Sequence, residues 1–355
     1  MFLTTSIHFL FLIFLALLSL VVVLIILVLL YGFFQYKQSV RASGWLKIIN
    51  QKISEVIVYD EDELPSDQSF RKFSENPSFR NLFLHQLVGS EKKFSGTAKN
   101  RIRDMFRQYD LHREAVKKLD QKKPHLIAGG IQELTVMDSK ESLSKIASLV
   151  AHPSEQVYQE AQYAMVSLKG FEGLGFLNTT RGIISEWQQL RLLLSITSIP
   201  DNSGEAIEAW LTSTNDSVII FTLKLLRKFQ LLSFYPSVIS LMEHPSVEVR
   251  VQAVQTLLSL ENSSTIASLI EMYPHQPVEV QLEILRTMKI SKDKDCTGLL
   301  KKELSESTVS GIKVYAAETL FVLGNRDYLE QLMHDETSSE ELIHIIKYAL
   351  REKIC

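Results

Sequence analysis

His244-Pro-Ser-Val-Glu-Val-Arg-Val-Gln-Ala-Val-Gln-Thr-Leu-Leu-Ser-Leu260 is the stretch of sequence that decides the fold. Val249, Ala253 and Leu257 are spaced four residues apart, and this spacing places their side chains on one face of an α-helix. His244 and Pro245 precede that face, and both residue types suit a turn that leads into the first turn of a helix. The stretch therefore predicts a helix that buries one apolar face and begins after a polar turn.

The same arrangement recurs at intervals of 30 to 32 residues over residues 124–355. We take the apolar residue that opens each second helix as the anchor of its repeat. The anchors are Leu126, Val157, Trp187, Val218, Val249, Val280, Ile312 and Leu342. Repeat 3, at 183–199, departs most from the pattern, because Arg191 and Ser195 stand where the other repeats carry small or apolar residues. Thr222 is a further departure.

One helical hairpin cannot bury its own apolar face, so neighbouring hairpins must stack to form a continuous core. The sequence therefore predicts an all-α fold, a right-handed α-solenoid of about eight helical hairpins. We expect the small residues four positions after several anchors, such as Gly130 and Ala161, to let neighbouring helices approach closely.

The repeat resembles the HEAT-repeat superfamily, in particular the short bacterial units called phycobilisome-lyase-type HEAT. Their pattern is roughly Asp-x-x-x-x-Val-Arg-x-x-Ala-x-x-x-Leu-x-x-Leu-Gly, and segments 244–260 and 307–324 match it best. His replaces the usual Asp at the turn, and the Arg after the anchor survives only as Arg250, with Lys313 similar. The resemblance implies an extended surface for a protein partner. Similar membrane-tethered bacterial HEAT proteins imply a membrane enzyme as that partner, such as a glycosyltransferase.

An uncharged apolar run at residues 7–34 follows a short N-terminal tail at residues 1–6. About 20 apolar residues span a bilayer as a helix, so the run predicts one transmembrane helix. A cleavable signal peptide is the alternative, but its apolar stretch would be only about 7–15 residues long and would follow a basic region. Lys37, Arg41 and Lys47 follow the run. By the positive-inside rule they predict a single-pass membrane protein with a cytoplasmic repeat domain.

Residues 35–90 form a predicted juxtamembrane region with an acidic and proline-containing loop, Asp60-Glu-Asp-Glu63 followed by Pro65. A basic helical segment at 91–123 then leads into the repeats. Its candidate contacts with anionic lipid or with a partner are Lys92, Lys93, Lys99, Arg101, Arg103 and Arg107. A solvated helix face with internal ion pairs is the alternative that we favour.

The charge distribution argues against nucleic acid as a ligand of the repeats. Residues 1–123 carry 18 basic and 12 acidic residues, whereas residues 124–355 carry 20 basic and 29 acidic ones. The repeat region is therefore acidic overall, which disfavours a groove for a polyanion.

Sequence motifs for catalysis or for metal binding are missing. The two cysteines, Cys296 and Cys355, do not have the spacing of a metal site. His152, His244 and His275 share one column of the repeat, but no carboxylate or thiol at matching spacing completes a zinc site. The HEAT-type enzyme deoxyhypusine hydroxylase holds iron through His-Glu dipeptides, and none of the histidines here precedes a glutamate.

The sequence therefore predicts a membrane-tethered scaffold that binds a protein, with no cofactor, no metal and no catalytic residues. Two alternatives stay open. The chain could be an enzyme or enzyme subunit that binds a cofactor on the solenoid, or it could be a protein of the membrane surface that binds anionic lipid through the 91–123 segment.

Overall fold

The computed structural model describes residues 2–58, 68–260 and 262–351. Helices account for the regular structure of these residues, and no strand occurs among them. The chain divides into two compact units, Met1–Ala164 and Met165–Cys355, which are described in turn. The predicted acidic loop at 60–65 and the thiol of Cys355 lie outside the described residues.

The first unit contains seven α-helices and the first part of an eighth. They are α1 (Phe2–Val58), α2 (Gln68–Ser74), α3 (Pro77–Glu91), α4 (Gly96–Gln108), α5 (His112–Leu119), α6 (Pro124–Val136), α7 (Leu143–Ala147) and α8 (Glu155–Lys169). A short 3-10 helix, Lys140–Ser142, precedes α7.

Helix α1 is one continuous helix of 57 residues, about 85 Å long at 1.5 Å per residue. Its side chains from residue 11 to residue 40 are exposed. Among the described residues it is the one helix long and apolar enough to cross a membrane. The helix has no break at residue 34, where the apolar run ends. The juxtamembrane region therefore begins as a direct extension of α1, which the sequence did not predict.

The last part of α1 belongs to a helical bundle with α2, α3 and α4. Ile49 and Ile53 of α1 are buried there, and Trp45 packs edge-on against Phe79 of α3, with 5.8 Å between ring centroids. At the C-terminus of α1, Arg101 donates hydrogen bonds to the carbonyl oxygens of Val56 and Ile57, at 3.2 and 3.3 Å. A cation at the C-terminus of a helix compensates its unpaired carbonyls and its dipole.

Helices α5 and α6 pack against each other as a hairpin. At Gly130 of α6, a Cβ atom would lie 2.8 Å from Cβ of Lys118 and 2.9 Å from the carbonyl oxygen of Ala115. Glycine is therefore required for this close approach. The pair also shows that the predicted boundary at residue 124 separates two helices of one hairpin.

The second unit continues the alternation of short and long helices. Its α-helices are α9 (Glu186–Ser195), α10 (Gly204–Leu211), α11 (Asp216–Phe229), α12 (Tyr235–Ser240), α13 (Val247–Ser259), α14 (Thr265–Met272), α15 (Val278–Ser291), α16 (Thr297–Glu306), α17 (Ser310–Val322), α18 (Arg326–His334) and α19 (Glu340–Arg351). Its 3-10 helices are Gly170–Asn178, Asp201–Ser203, Leu232–Phe234, Leu241–Glu243, Tyr273–His275 and Lys294–Cys296.

Packing in the second unit follows the chain order. Each long helix from α11 to α17 packs on the next long helix, so that α11, α13, α15, α17 and α19 are in successive contact. Within the hairpins, α10 packs on α11, α12 on α13, α16 on α17 and α18 on α19. Thr222 is fully buried, and its hydroxyl donates to the carbonyl oxygen of Val218 at 2.8 Å. Its departure from the repeat pattern therefore leaves no unpaired hydroxyl in the core.

Candidate partner-binding surface

The predicted lipid or partner contacts on α4 bond mostly within the protein. Arg103 and Lys99 lie 2.8 and 3.0 Å from the same carboxylate oxygen of Glu91, which is buried. Arg101 caps the end of α1, and Arg107 pairs with Asp104 at 2.9 Å. These four cations thus have structural partners. Lys92 and Lys93, which follow α3, are exposed.

A second buried carboxylate in the first unit shows the same use of basic residues. Arg80 lies 3.0 Å and Lys117 3.3 Å from a carboxylate oxygen of Glu114. Burial acts to raise the pKa of Glu114, but the hydrogen bonds from Arg80 and Lys117 and their charges outweigh it and lower the pKa. Much of the positive charge of residues 91–123 therefore stabilises the fold.

The turn histidines take a local structural role. Nδ1 of His152 accepts a hydrogen bond from the backbone N–H of Ser154 at 3.0 Å, and Nδ1 of His244 accepts one from Ser246 at 3.1 Å. Each imidazole thereby closes the turn before a long helix. The described residues include no group of three His, Cys, Asp or Glu side chains that could hold a metal ion.

The thiol of Cys296 is buried and donates to the carbonyl oxygen of Asp293 at 2.8 Å. Burial, and next the nearby negative charge of Asp293, raise the pKa of Cys296 to about 11. The thiol is therefore protonated at neutral pH and is a poor nucleophile.

Six of the eight predicted anchors are buried, namely Val157, Val218, Val249, Val280, Ile312 and Leu342. Leu126 is half-buried, and its neighbour Ile127 is buried instead. Trp187 is 69% exposed, so its assignment as a core residue is wrong. In α9 the buried side chains are those of Gln188, Gln189 and Leu192, followed by Ile196 after the helix.

The core register of α9 is shifted by one residue from the predicted register. Gln188, Leu192 and Ile196 occupy the positions that Val249, Ala253 and Leu257 occupy in α13. One residue corresponds to about 100° of rotation around a helix, so the shift turns Trp187 out of the core. Arg191 and Ser195 signalled this shift, because the predicted register would have placed both of them in the core.

The rotation produces a stripe of exposed apolar side chains along α9. Ile183, Trp187, Leu190 and Leu194 are 83%, 69%, 47% and 72% exposed. Trp187, Leu190 and Leu194 are spaced three and four residues apart within α9 and therefore lie on one face of the helix. Ile183 comes three residues before the helix begins. We call these four residues the α9 stripe. Contiguous exposed apolar surface of this kind marks an interaction site more often than scattered single residues do.

The corresponding positions on the other long helices of the second unit are mostly polar. Those equivalent to Trp187 and Leu194 are Ser217 and Lys224 in α11, Glu248 and Gln255 in α13, Glu279 and Arg286 in α15, Gly311 and Glu318 in α17, and Glu341 and Tyr348 in α19. Within this series only α9 carries two large aliphatic or aromatic residues there. The stripe is therefore a property of one helix and not of the repeat.

Several hydrogen bonds hold α9 in its shifted register. The side chain of the buried Gln189 donates to the carbonyl oxygen of Ile184 at 2.9 Å and accepts from Nζ of Lys224 at 2.8 Å. Nζ of Lys228 donates to the carbonyl oxygens of Leu193 and, at 2.6 Å, of Ile196. The N–H of Ile184 donates to Oγ of Ser217 at 2.9 Å. The stripe thus lies on a helix that is fixed at both ends.

Comparison with known proteins finds no matching protein-family model and no matching curated protein. Among solved structures, an engineered protein is 17% identical over 84% of this chain and 86% of its own, with a TM-score of 0.33. The complex of CpcE and CpcF of phycocyanin lyase from Nostoc sp. PCC7120 is 12% identical over 83% of this chain and 98% of its own, with a TM-score of 0.26. Likeness at this level assigns neither a family nor a ligand.

One prediction from the sequence is corrected here. The sequence predicted that the chain is not an enzyme, and the comparisons do not support that prediction, since a phycocyanin lyase stands among the matched structures. It was based on the lack of a local catalytic motif. Catalytic residues can be dispersed along a chain and meet only in the fold, so such a lack does not exclude catalysis.

Proposed function

We propose that this chain is a membrane-tethered helical-repeat protein that binds a helix of a partner protein on the α9 stripe. The observation that carries the proposal is the exposure of Trp187, Leu190 and Leu194 along one face of α9, with the exposed Ile183 shortly before the helix. The helical part of the stripe, from Trp187 to Leu194, is about 10 Å long, which matches two turns of an amphipathic helix that presents its own apolar face.

Nearby charge favours an acidic flank on that partner helix. Lys224 and Lys228 of α11 reach over to α9, where they bond to neutral oxygens of Gln189, Leu193 and Ile196. Among the described residues, neither ammonium group has a carboxylate partner. Their positive charge is therefore available to glutamate or aspartate residues beside the apolar face of the partner.

The finer architecture belongs to this proposal as well. The successive contacts of α11, α13, α15, α17 and α19 support a right-handed α-solenoid of about eight HEAT-like hairpins.

The proposed tether is the apolar run of α1. Its side chains are exposed from residue 11 to residue 40, and so much exposed apolar surface is unfavourable in water. Lys37, Arg41 and Lys47 follow the run and support a cytoplasmic location of the repeats. Extraction with alkaline carbonate should leave the chain in the membrane fraction. Added protease should degrade the repeats only in inside-out vesicles. Degradation in right-side-out vesicles would show that the repeats lie on the opposite side of the membrane.

The fluorescence of Trp187 allows a direct test of the stripe. The probe is a synthetic amphipathic peptide with leucine at four positions spaced four, three and four residues apart and with glutamate on both flanks. We expect it to shift the emission of the full-length protein to shorter wavelength, because the bound peptide removes water from Trp187. Trp187→Phe should abolish the shift, and a peptide with lysine flanks should bind about tenfold more weakly.

Two outcomes would contradict the proposal. In the first, the glutamate-flanked peptide leaves the emission of the wild-type protein unchanged. In the second, the emission shift persists in Trp187→Phe, which would assign the shift to Trp45 or Trp210. A benzophenone photocrosslinker at position 187 extends the test to native membranes. It should yield one discrete adduct that Leu194→Glu removes, whereas the same crosslinker at Glu279, the equivalent position of α15, should yield none.

A further inference from the structure

A cleft of about 410 Å³ lies between α1 and the beginning of α3. Gln38, Arg41 and Trp45 of α1 form one side, at intervals of three and four residues, and Ser78 and Leu82 of α3 form the other. The cleft combines a guanidinium group, an amide and a hydroxyl with the apolar surfaces of an indole and a leucine. Such a mixture fits a molecule with an anionic end and an apolar end.

The position of the cleft along α1 is fixed because the helix is continuous from Phe2 to Val58. Arg41 comes seven residues after Phe34, the last residue of the apolar run, which is about 10 Å along the helix. Side chains on a helix point back toward its N-terminus, which here is the direction of the apolar run. A long arginine side chain can therefore reach back to the level of the lipid phosphates.

The chemistry of Arg41 differs from that of the basic residues on α4. Lys99, Arg101 and Arg103 are bonded to Glu91 or to the end of α1. Arg41 is exposed, and among the described residues it has no carboxylate partner. A guanidinium group binds phosphate through two parallel hydrogen bonds, and Ser78 and Gln38 could add further ones.

The apolar wall of the cleft is rigid. The Trp45 ring packs edge-on against Phe79, with 5.8 Å between ring centroids, and is tilted against Phe73 at 6.2 Å. An indole held at the level of the head groups, with a polar N–H and an apolar ring, suits the boundary between phosphate and acyl chain.

We propose that this cleft binds the head group of an anionic phospholipid, with Arg41 holding the phosphate. The inference rests on the membrane anchoring of α1 in the proposed function. It differs from the sequence-based expectation for Lys92 and Lys93, which follow the far end of α3. Ten residues of helix rise from Leu82, the nearer α3 residue of the cleft, to Lys92 correspond to about 15 Å.

Native mass spectrometry of the full-length protein in neutral detergent tests the proposal. Phosphatidylglycerol and phosphatidylcholine of identical acyl chains are titrated separately. We expect the wild-type protein to retain phosphatidylglycerol preferentially, and Arg41→Gln to weaken its binding about fivefold, the effect of one basic residue near a lipid surface. Binding of phosphatidylcholine, whose choline cation offsets the charge of its phosphate, should fall less in Arg41→Gln than binding of phosphatidylglycerol does. The matched control is Lys92→Gln/Lys93→Gln, which removes two exposed charges and should leave both lipids unaffected.

Each other outcome has a definite meaning. Equal retention of the two lipids by the wild-type protein, or a loss caused by Lys92→Gln/Lys93→Gln and not by Arg41→Gln, overturns the inference while α1 stays a membrane anchor. Displacement of the lipid by millimolar inorganic phosphate also overturns it, because the cleft would then be a site for a free anion. Extraction of the chain by carbonate would instead refute the anchor itself. An unchanged circular dichroism melt of Arg41→Gln excludes misfolding as the cause.

Discussion

Helices α9 and α13 occupy equivalent places in two repeats and differ in the face that they turn outward. Both bury one column of side chains, which is Gln188, Leu192 and Ile196 for α9 and Val249, Ala253 and Leu257 for α13. At the two outward positions compared above, α9 carries Trp187 and Leu194, whereas α13 carries Glu248 and Gln255. The two helices therefore share a structural role and differ in their surface.

The difference separates what stabilises a repeat from what a repeat offers to a partner. A buried aliphatic side chain contributes about 1.5–3 kcal/mol through removal of its surface from water, and an exposed one contributes little of this. Packing within the second unit thus does not explain Trp187 and Leu194, which are exposed. Substitutions in the two helices can test this separation.

The largest loss of stability should come from substitutions in the buried column, and it should be similar in the two helices. Leu192→Ala in α9 and Leu257→Ala in α13 should each lower the free energy of unfolding by about 2–5 kcal/mol, because each leaves a cavity among fully buried neighbours. Denaturant titration of the full-length protein in detergent, followed by circular dichroism, measures this. If Leu192→Ala is as mild as Leu194→Ala, the shifted register of α9 is wrong.

A smaller loss of stability should follow from removal of Gln189, the polar side chain that fixes α9. Gln189 is buried and bonded on both sides, to Ile184 and to Lys224. Gln189→Ala should cost about 1–3 kcal/mol in the same titration, since it leaves a buried carbonyl oxygen without its donor. Gln331→Ala is the control, because Gln331 is exposed. Equal effects of the two substitutions would show that the Gln189 bonds do not stabilise α9.

The same comparison shows how far the sequence could predict this structure. Apolar residues four apart and a preceding polar turn are enough to predict α13, which begins at Val247. The anchor spacing could not reveal the register of α9, because moving the anchor from Trp187 to Gln188 only exchanges intervals of 30 and 31 residues. Large apolar residues normally indicate a core position, and for Trp187 that general rule was misleading.

The N-terminal region shows a second limit of sequence-based prediction. Nothing in the sequence stops α1 at the end of the apolar run, since Pro65 is the first proline and single glycines are tolerated in a helix. Likewise, the composition of segment 91–123 cannot show that Lys99 and Arg103 share the buried carboxylate of Glu91. Such pairing depends on tertiary contacts between α3 and α4.

A still smaller loss of stability should follow from a substitution at the C-terminal end of α9. Lys228 donates to the carbonyl oxygens of Leu193 and Ile196 at that end, of which that of Leu193 also accepts from the N–H of Ile196. Lys228→Gln should cost about 0.5–1.5 kcal/mol and should accelerate hydrogen exchange in the last turn of α9 without affecting α13. Lys302→Gln, at another exposed lysine, is the control. Faster exchange in both helices would indicate a global loss of stability in place of local fraying.

The smallest effect on stability should come from the stripe, and this is the prediction that separates the two helices most clearly. Leu194→Glu should change the free energy of unfolding by no more than about 0.5 kcal/mol, since the side chain is exposed and a surface substitution removes no packing. It should nevertheless abolish binding of the glutamate-flanked peptide, because it introduces a charge into the apolar contact and repels the acidic flanks. Gln255→Glu at the equivalent position of α13 puts its new charge beside Arg227, from which Gln255 accepts at 2.7 Å, and should reduce neither the free energy of unfolding nor peptide binding. If Leu194→Glu instead destabilises the protein as much as Leu192→Ala does, the stripe belongs to the core and α9 does not differ from α13.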